Sequence, residues 1–431
     1  MSTIEQVKEQ LTTQECRRNL AGVYCKTEEQ LEPVCRRLEG VLEGFCRTFS
    51  PGADTQVFLC TAAGRTEVGG NHTDHQQGKV LAASVDLDAV ACVGANDLGV
   101  VRLYSEGYGL CEVRTDALDK VPSEENTTPA LIRGILARTV QLGYTVGGFD
   151  AYIRSDVPGG SGLSSSACYE VLVGVMVNHL FCRDELSMAQ VAMMGQYAEN
   201  VYFGKPSGLM DQMACALGGI VSIDFADRDH PEYRQVHFDF MAAGHALCII
   251  DTGADHADLT PDYGAIPAEM RGVAAALGKE VLSQVSPQDF YDALPTLRAK
   301  LGDRAVLRAI HYFSDVERVE GQVQALEAGD FDTFLRLVTQ SGQSSWMYLQ
   351  NVATYRDCAD QPVAVALAVA QHLLGGKGAY RIHGGGFAGT IQAFVPLEQL
   401  EQFRAGMDAV LGAGACRVLS IRPVGGAVLV D

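Results

Sequence analysis

The most evident chemistry of this chain lies in a short stretch rich in glycine and serine, Val157-Pro158-Gly159-Gly160-Ser161-Gly162-Leu163-Ser164-Ser165-Ser166-Ala167. An apolar run suited to a helix, Cys168 to Phe181, follows it directly. A glycine-rich turn that leads into a helix presents unpaired backbone N–H groups and the positive end of the helix dipole to an anion. The serine hydroxyls can reach a phosphate oxygen or a magnesium ion. We therefore expect a phosphate-binding turn here, although most segments of this composition are ordinary loops.

The stretch matches neither of two common nucleotide-binding motifs. It has no Gly-x4-Gly-Lys-Ser/Thr pattern, and no lysine stands where a P-loop needs one. It also lacks the Gly-x-Gly-x-x-Gly pattern of dinucleotide-binding folds. If ATP binds here, a different architecture must bind it.

A second polar segment has the composition of a sugar-binding loop, Gly64-Arg65-Thr66-Glu67-Val68-Gly69-Gly70-Asn71-His72-Thr73-Asp74-His75. Asp74 can accept hydrogen bonds from two neighbouring hydroxyls of a diol at once. His72 and His75 have the spacing of a metal-binding pair, but no third ligand is evident, which favours hydrogen-bonding or structural roles. Arg65, taken by itself, is most simply interpreted as a surface salt-bridge partner.

Two further segments carry a single notable residue or a cluster of glycines. Asp211 stands among apolar neighbours in Ser207-Gly208-Leu209-Met210-Asp211-Gln212-Met213. Aspartate is seldom buried without a partner, so it is either a residue of a helix N-terminus or a carboxylate that orients a substrate hydroxyl and accepts its proton. The segment His383 to Gly389 contains three consecutive glycines and predicts a tight turn, or a backbone wall that approaches a ligand closely.

Composition limits the class of protein. The chain has 431 residues, 47% of them hydrophobic and 20% charged, which is enough for two or three globular domains. The net charge of −20 argues against a nucleic-acid partner. No apolar segment is long enough to cross a bilayer, and the polar N-terminus lacks a secretory signal, so we expect a cytosolic protein.

The thirteen cysteines are scattered and contain no Cys-x-x-Cys pair. We interpret them as reduced and mostly buried thiols, and we do not expect a structural zinc site.

Apolar periodicity predicts a mixture of helices and strands. Helices are predicted over 4–47, 129–142, 166–181, 188–202, 209–217, 263–338 and 397–411, and strands over 55–61, 80–93, 99–104, 147–154, 220–225, 246–251, 379–382, 390–395 and 416–423. Because the two types do not alternate strictly, an α+β fold is favoured over a doubly wound sheet. We predict a helical extension over 1–34, a first lobe over 35–230 and a second lobe over 231–431.

Taken together and in this order, the four segments resemble the galactokinase family of the GHMP kinase superfamily. The matching positions are Gly64-Arg65, Gly70, His72-Thr73-Asp74, Gly162 to Ala167, Gly208 to Gln212 and Gly384 to Gly389, with Ala198-Glu199, Tyr202, Gly204 and Pro206 from a further motif in which Asn200 replaces a histidine. The resemblance spans residues 35–431 and implies a two-lobed GHMP kinase fold. Its N-terminal lobe would be ribosomal-protein-S5-like and its C-terminal lobe ferredoxin-like.

The resemblance also implies a role for each matching residue. Asp211 would orient or deprotonate the sugar hydroxyl, and Arg65 would lower the pKa of Asp211 and stabilise the transferring phosphoryl group. Mg²⁺ would be held by Ser166 and Glu199. The sugar would contact Asn71, His72, Asp74, Gly208 and Tyr263. ATP would lie on Gly159, Gly160, Ser161, Gly162, Leu163, Ser164, Ser165, Ser166 and Ala167.

Three departures affect the sugar site. The family's sugar-binding glutamate is Asn71 here, its asparagine near the arginine is Glu67, and its tyrosine after the aspartate is His75. The expected function is ATP-dependent phosphorylation of a sugar at its anomeric hydroxyl, and galactose is the sugar that the resemblance favours. Another hexose, a hexosamine, arabinose or a non-sugar alcohol stays open. A non-catalytic sugar sensor is less favoured because the serine-rich turn and Asp211 are intact. We expect a sugar and ATP as small-molecule partners, no membrane partner, and a monomer or small homo-oligomer.

Overall fold

The computed structural model describes residues 1–159, 162–254, 259–354 and 359–431. Within these ranges the strands form two sheets. The first sheet contains β1 (Ser2–Thr3), β2 (Gln56–Gly69), β3 (Lys79–Asn96), β4 (Val100–Ser105), β5 (Gly109–Arg114), β6 (Gly148–Ser155), β7 (Ile220–Asp224), β8 (Glu232–Val236) and β13 (Ala427–Val430). The second contains β9 (His245–Asp251), β10 (Ala379–His383), β11 (Thr390–Pro396) and β12 (Cys416–Leu419).

Helices cover both sheets. They are α1 (Ile4–Thr12), α2 (Gln14–Tyr24), α3 (Glu32–Phe49), α4 (Thr128–Gln141), α5 (Ser165–Phe181), α6 (Met188–Tyr197), α7 (Met210–Leu217), α8 (Thr260–Ala276), α9 (Pro287–Leu301), α10 (Asp303–Glu327), α11 (Phe331–Ser344), α12 (Pro362–Leu374) and α13 (Leu400–Leu411). None of the helices in the described ranges combines the length and the apolarity that a membrane span needs.

The two long strands β2 and β3 form the centre of the first sheet. Its order is β1-β2-β3-β6-β4-β5, with β13 added to β2, β7 added to β3, and β8 added to β7. All pairs are antiparallel except β4 with β6, which is parallel. Both long strands are almost entirely buried, since α1 to α3 cover one face and α4 to α7 the other. This explains why the parts of β2 and β3 that pair with each other over 57–60 and 91–94 are continuous apolar runs rather than alternating ones.

The second sheet joins the core of the first through the long helices between them. Its order is β10-β11-β9-β12, and all its pairs are antiparallel. On one face it packs against α12 and α13. On the other face Phe334 of α11 meets Phe394 of β11 edge to face, with ring centroids 5.2 Å apart. As a result, the hairpin turn between β10 and β11 lies beside the end of β2, where Arg65 is found.

The predicted α+β class and two-lobed architecture are confirmed, while several elements differ from the prediction. The segment 64–69 is part of β2 and not a loop, the helical segment 4–47 is three helices, and α12, β5, β8 and β13 were not predicted. The division into 1–34, 35–230 and 231–431 stays a prediction. Sheet membership does not follow it, because β8 and β13 both belong to the first sheet.

Candidate active site

Arg65 and Asp211, which lie 146 residues apart in the chain, form a two-pronged ion pair. The guanidinium donates from Nε to Oδ1 at 2.7 Å and from Nη2 to Oδ2 at 2.8 Å. This geometry is among the strongest that charged side chains make. Arg65 is buried on β2 just after a shift in the register with β3, whereas Asp211, in the first turn of α7, keeps a third of its side chain exposed. The structure therefore brings the two predicted catalytic residues together.

The protonation state of Asp211 follows from its surroundings. Burial alone would raise the pKa of Asp211, but the charge and hydrogen bonds of Arg65 and a hydrogen bond from Ser164 Oγ lower it to about 2. Asp211 is thus a carboxylate at neutral pH. A carboxylate of such low basicity is better suited to accept a hydrogen bond from a substrate hydroxyl than to remove its proton early.

The described part of the predicted phosphate-binding turn lies against this pair. Gly162 O accepts a hydrogen bond from Arg65 Nη1, and the backbone N–H of Arg65 donates to Leu163 O at 3.2 Å. Gly162 has a φ of +70°, and a Cβ there would overlap the side chain of Thr390 and lie 3.1 Å from His383 Nδ1. Glycine is therefore required at this contact between the turn and the second sheet.

The other residues predicted to bind ATP occupy different environments. Ser164 has a left-handed backbone, with a φ of +55°, and precedes α5. Gly159 and Ser166 are exposed and Ser165 is half-buried, whereas Leu163 and Ala167 belong to the hydrophobic core. Leu163 and Ala167 can therefore offer ATP their backbone only. Gly160 and Ser161 lie outside the described residues.

Three of the predicted sugar-binding residues contact Gly208 or the glycine turn, and the accessible surface beside the Asp211 carboxylate is called the cleft below. Asp74 packs directly against Gly208, where a Cβ would overlap its carboxylate. His72 Nε2 contacts Gly385 O at 2.9 Å, and burial and the neighbouring His75 lower the pKa of His72 to about 3, so its ring is neutral at pH 7. Tyr263 donates from its hydroxyl to Gly386 O at 2.5 Å. His72 and Tyr263 thus hold the glycine turn of the second sheet.

Asn71 differs from the prediction that it contacts the sugar directly. It is fully buried, its Nδ2 donates to Glu67 Oε1 at 3.0 Å and to Gly384 O at 2.6 Å, and its Oδ1 accepts from Asn351 at 2.8 Å and from Ser345 at 3.3 Å. These contacts use the full hydrogen-bonding capacity of the amide. Asn71 thus joins the segment after β2 to the second sheet. A direct contact between Asn71 and the sugar stays a prediction, although both polar atoms of its amide already have partners in this structure.

The carboxylate that the family carries at position 71 is found four residues earlier. Glu67 is buried, forms a 2.5 Å ion pair with the fully buried Arg381, and accepts the hydrogen bond from Asn71. The acid and the amide have therefore exchanged positions. The exchange keeps one acid in this region but directs its charge toward Arg381 and away from the cleft.

His383 was not assigned a role from its sequence, although it stands directly before the three glycines. The backbone N–H of Glu67 donates to His383 Nε2 at 3.2 Å, so Nδ1 carries the proton and contacts Thr390 Oγ1 at 2.9 Å. Gln392 donates to Thr66 Oγ1 at 2.7 Å in the same interface. These contacts fix the β10–β11 hairpin on β2. Only the position of His383 beside the glycines could have indicated such a role.

The predicted magnesium ligands have suitable chemistry. Glu199 lies in a π-helical segment, 198–203, a form often found at functional sites. Its carboxylate accepts from Lys205 Nζ and from Gln212 Nε2, each at 2.9 Å. Hydroxyl and carboxylate oxygens such as those of Ser166 and Glu199 suit Mg²⁺, which commonly takes one or two carboxylates and completes its shell with substrate phosphates. In the part of the chain that the structure describes, no group of three His, Cys, Asp or Glu residues could hold a metal ion by itself.

Comparisons with known proteins identify the relatives of this chain. The family description "GHMP kinases N terminal domain" matches residues 130–219, and "Galactokinase galactose-binding signature" matches residues 43–95. The chain is 33% identical to a galactokinase of Streptomyces coelicolor over 85% of its own length and 92% of the relative's. It is 32% identical to a galactokinase of Streptomyces lividans over 82% and 86%.

Solved structures extend the similarity to the fold. The crystal structure of Lactococcus lactis galactokinase complexed with galactose superposes with a TM-score of 0.78 at 26% identity, covering 91% of this chain and 99% of that one. A mevalonate kinase structure, at 13% identity and a TM-score of 0.57, shares the fold alone, with 85% and 99% covered. This chain belongs to the galactokinase family of GHMP kinases.

Proposed function

We propose that this chain transfers the γ-phosphoryl group of ATP to the anomeric hydroxyl of galactose, giving galactose 1-phosphate and ADP. The observation that carries the proposal is the Arg65–Asp211 pair, which is partly open on the Asp211 side and lies directly beside the serine-rich turn. The similarity to galactokinases over most of the chain supports galactose as the acceptor.

Asp211 would accept a hydrogen bond from the anomeric hydroxyl and orient its oxygen for in-line attack. A bond forms between that oxygen and the γ-phosphorus as the bond from the γ-phosphorus to the bridging oxygen of ADP breaks. Because the transition state of phosphoryl transfer is loose, the hydroxyl proton can pass to Asp211 late in the reaction. The low pKa of Asp211 fits this order of events. The guanidinium of Arg65 would stabilise the charge on the transferring group.

The sugar would be held from the side of the glycine turn. Asp74 is partly exposed and offers a carboxylate to two neighbouring sugar hydroxyls. The close packing of Gly208 against Asp74 fixes the position of that carboxylate relative to Asp211, three residues further along the chain. The Nε2–H of the neutral His72 ring donates to Gly385 O, so its Nδ1 remains as an acceptor for a sugar hydroxyl and the ring adds no charge to the cleft.

We also propose Ser166 and Glu199 as the protein ligands of Mg²⁺, with the phosphates of ATP completing the coordination. When bound, the ion would neutralise part of the phosphate charge. Lys205, which holds Glu199 in this structure, would have to release one of its oxygens.

A substrate panel tests the proposed function. The purified chain is supplied with ATP and Mg²⁺ and with galactose, glucose, N-acetylgalactosamine or arabinose, and ADP formation is followed with a coupled assay. We expect the highest kcat/KM with galactose and a product whose phosphorus couples to the anomeric proton in ³¹P NMR. Binding of sugar and ATP without ADP formation would indicate a sensor instead. A higher kcat/KM with another sugar would contradict the assignment of galactose.

A further inference from the structure

The N-terminal segment, residues 1–31, is an integral part of the first lobe. Its strand β1 pairs with β2, and its helices pack with α3 over the central strands. Leu11, Leu20 and Leu31 are almost completely buried in that contact. The segment precedes Gly64-Arg65, the first motif that resembles the kinase family, so its role has to be inferred from its contacts.

Tyr24, at the end of α2, reaches a carboxylate in the interior of the lobe. Its hydroxyl donates to Asp88 Oδ2 at 2.7 Å. Asp88 is fully buried and also accepts from Thr61 and Arg422, each at 2.6 Å, and from Arg37. The guanidinium of Arg422 lies 4.7 Å from the centre of the Tyr24 ring. Five segments that are distant in sequence therefore meet at one aspartate.

The charge of Asp88 is well compensated. Burial alone would raise the pKa of Asp88, but Arg422 and Arg37 hold it below the ordinary value. One carboxylate and two guanidiniums together carry a net charge of +1. The carboxylate of Asp156 balances this charge. Arg37 forms a second ion pair with Asp156.

Asp156 links this cluster to the phosphate-binding turn. It directly precedes Val157, where the glycine-rich and serine-rich stretch begins, and its backbone N–H donates to Asp88 O at 2.9 Å. Arg37 therefore links the side chain of Asp88 to the side chain of Asp156, the residue directly before the turn. Tyr24 packs behind Arg37 and shares Asp88 with it.

The far end of the turn rests on the same strands. The backbone N–H of Arg65 donates to Leu163 O at 3.2 Å. A Cβ at Gly64 would lie 3.3 Å from the side chain of Val157 and 3.4 Å from Leu163 O, so both ends of the turn pack closely on this point of β2. The start of the turn is held by side chains and the end by the backbone.

We propose that Tyr24 and Arg37 are positioning residues for the phosphate-binding turn, and that the N-terminal segment holds Arg37 between Asp88 and Asp156 and so fixes the start of the turn for ATP. This inference rests on the proposed function. Neither residue needs to touch the nucleotide. Their loss allows the turn to change conformation and weakens nucleotide binding, while Asp74 and the sugar side of the cleft stay as they are.

The test compares Arg37→Met, Arg37→Lys and Tyr24→Phe in the full chain. The probe is ADP, whose Kd is measured by calorimetry without turnover, together with the KM values for ATP and galactose. For Arg37→Met we expect the Kd of ADP and the KM for ATP to rise about tenfold, which corresponds to one lost charged contact of about 1.4 kcal/mol. We expect a rise of about threefold for Tyr24→Phe, a single hydrogen bond. Arg37→Lys keeps the charge and should recover part of the loss, and the KM for galactose should change less than twofold.

Tyr152→Phe is the matched control. The Tyr152 hydroxyl donates to Glu106 at 2.8 Å, and its ring belongs to the same apolar cluster as Tyr24 but has no contact with Asp88 among the hydrogen bonds of the described residues. This variant removes a comparable hydroxyl and should leave the Kd of ADP unchanged. If Arg37→Met and Tyr24→Phe lower the melting temperature but leave the Kd of ADP and the KM for ATP unchanged, the proposal is overturned.

A second variant covers the case in which the interior substitutions do not fold. Asp156→Asn changes the exposed end of the link, where 41% of the side chain is accessible, and should also raise the Kd of ADP. An unchanged Kd in that variant overturns the proposal. Because ADP binding requires no sugar, these results stay interpretable even if the wild-type chain phosphorylates no sugar at all, which would contradict the proposed function alone.

Discussion

Asp211 in the cleft and Asp88 beneath the phosphate-binding turn are bound by the same kinds of groups, yet only one of them is open to a ligand. Each accepts hydrogen bonds from arginine and from a hydroxyl, and each has a lowered pKa. Asp88 has donors from four side chains and is fully buried, whereas Asp211 has donors from Arg65 and Ser164 and keeps a third of its surface accessible. A carboxylate with an open side can bind a substrate, while one that is enclosed by donors connects segments of the fold.

Glu170 on α5 is a third carboxylate in this comparison; it is fully buried, and its pKa shifts in the opposite direction. It accepts one hydrogen bond, from Gln212 at 2.9 Å, and its Oε1 has no hydrogen-bond partner. Burial and the neighbouring charge of Glu199 raise the pKa of Glu170 well above its ordinary value. The sign of the pKa shift in these three residues follows the number of donors and the nearby positive charge, since all of them are desolvated.

The largest effect is expected at the open carboxylate. Asp211→Asn keeps the size of the side chain but loses the charge that accepts the substrate proton, so kcat should fall about 10²- to 10⁴-fold. The Kd of ADP should change little, because Asp211 is proposed to contact the sugar hydroxyl and not the nucleotide, and an amide oxygen can still accept the hydrogen bond from Ser164. Steady-state kinetics and calorimetry measure the two quantities, and wild-type turnover in this variant would remove Asp211 from the mechanism.

Substitution of the enclosed carboxylate, Asp88, should mainly lower the stability of the fold. Asp88→Asn leaves the buried Arg422 and Arg37 without their shared counter-charge, so the free energy of unfolding should fall by about 3–5 kcal/mol. The value of kcat at saturating ATP should stay within a few-fold of wild type. Urea unfolding gives the first quantity, and Asp116→Asn, which breaks an exposed pair with Arg114, is the control expected to show no measurable change. A loss of kcat as large as that of Asp211→Asn would show that the two clusters do not differ as described.

The sequence allowed the two aspartates to be told apart only in part. Asp211 could be singled out because its apolar neighbours and the adjacent motif residues are local in the chain. Asp88 stands two residues from Asp86 in β3, a spacing that places both side chains on one face of a regular strand, yet Asp86 lies at the shift in register with β2 and is partly exposed, whereas Asp88 is buried. The difference arises from Arg37 and Arg422, and Arg422 is 334 residues away. No local pattern indicates such a partner.

The same limit explains the elements that were missed. The sequence of α12, Pro362 to Leu374, alternates valine and alanine, which predicts a strand as readily as a helix. Strand β13 has only four residues and exists because β2 offers it an edge. The residue type at Asn71 is evident from the sequence, but only the fold shows that its amide is bonded to Glu67, Gly384, Asn351 and Ser345. The family and the fold class could be predicted because glycines and short motifs determine local backbone shape.

The smallest effect is expected at Glu170, the carboxylate with one hydrogen-bond donor, and it is an effect of pH on the free energy of unfolding. A carboxylate whose pKa is raised by folding stabilises the protein below its unfolded pKa, near 4.5, and this contribution is lost as the pH rises through the folded value. Glu170→Gln removes the ionisable group and keeps an oxygen that can accept from Gln212. Its free energy of unfolding should therefore exceed that of the wild type at pH 8 by on the order of 1–3 kcal/mol, the cost of a buried group without partners.

At pH 5 the advantage of Glu170→Gln should largely disappear, because the wild-type carboxyl is then mostly protonated in the folded state. Urea unfolding of both proteins at the two pH values measures the difference. The charges that face Glu170 are those of Glu199, Asp211 and Lys205, and they are the same in both proteins, so they cancel to first order in the comparison. Two results would show that Glu170 is stabilised as a charged group. In the first, Glu170→Gln is less stable than the wild type at pH 8. In the second, the difference in the free energy of unfolding between the two proteins is the same at pH 5 and pH 8. The contrast with Asp88 would then have to be explained by something other than the number of donors.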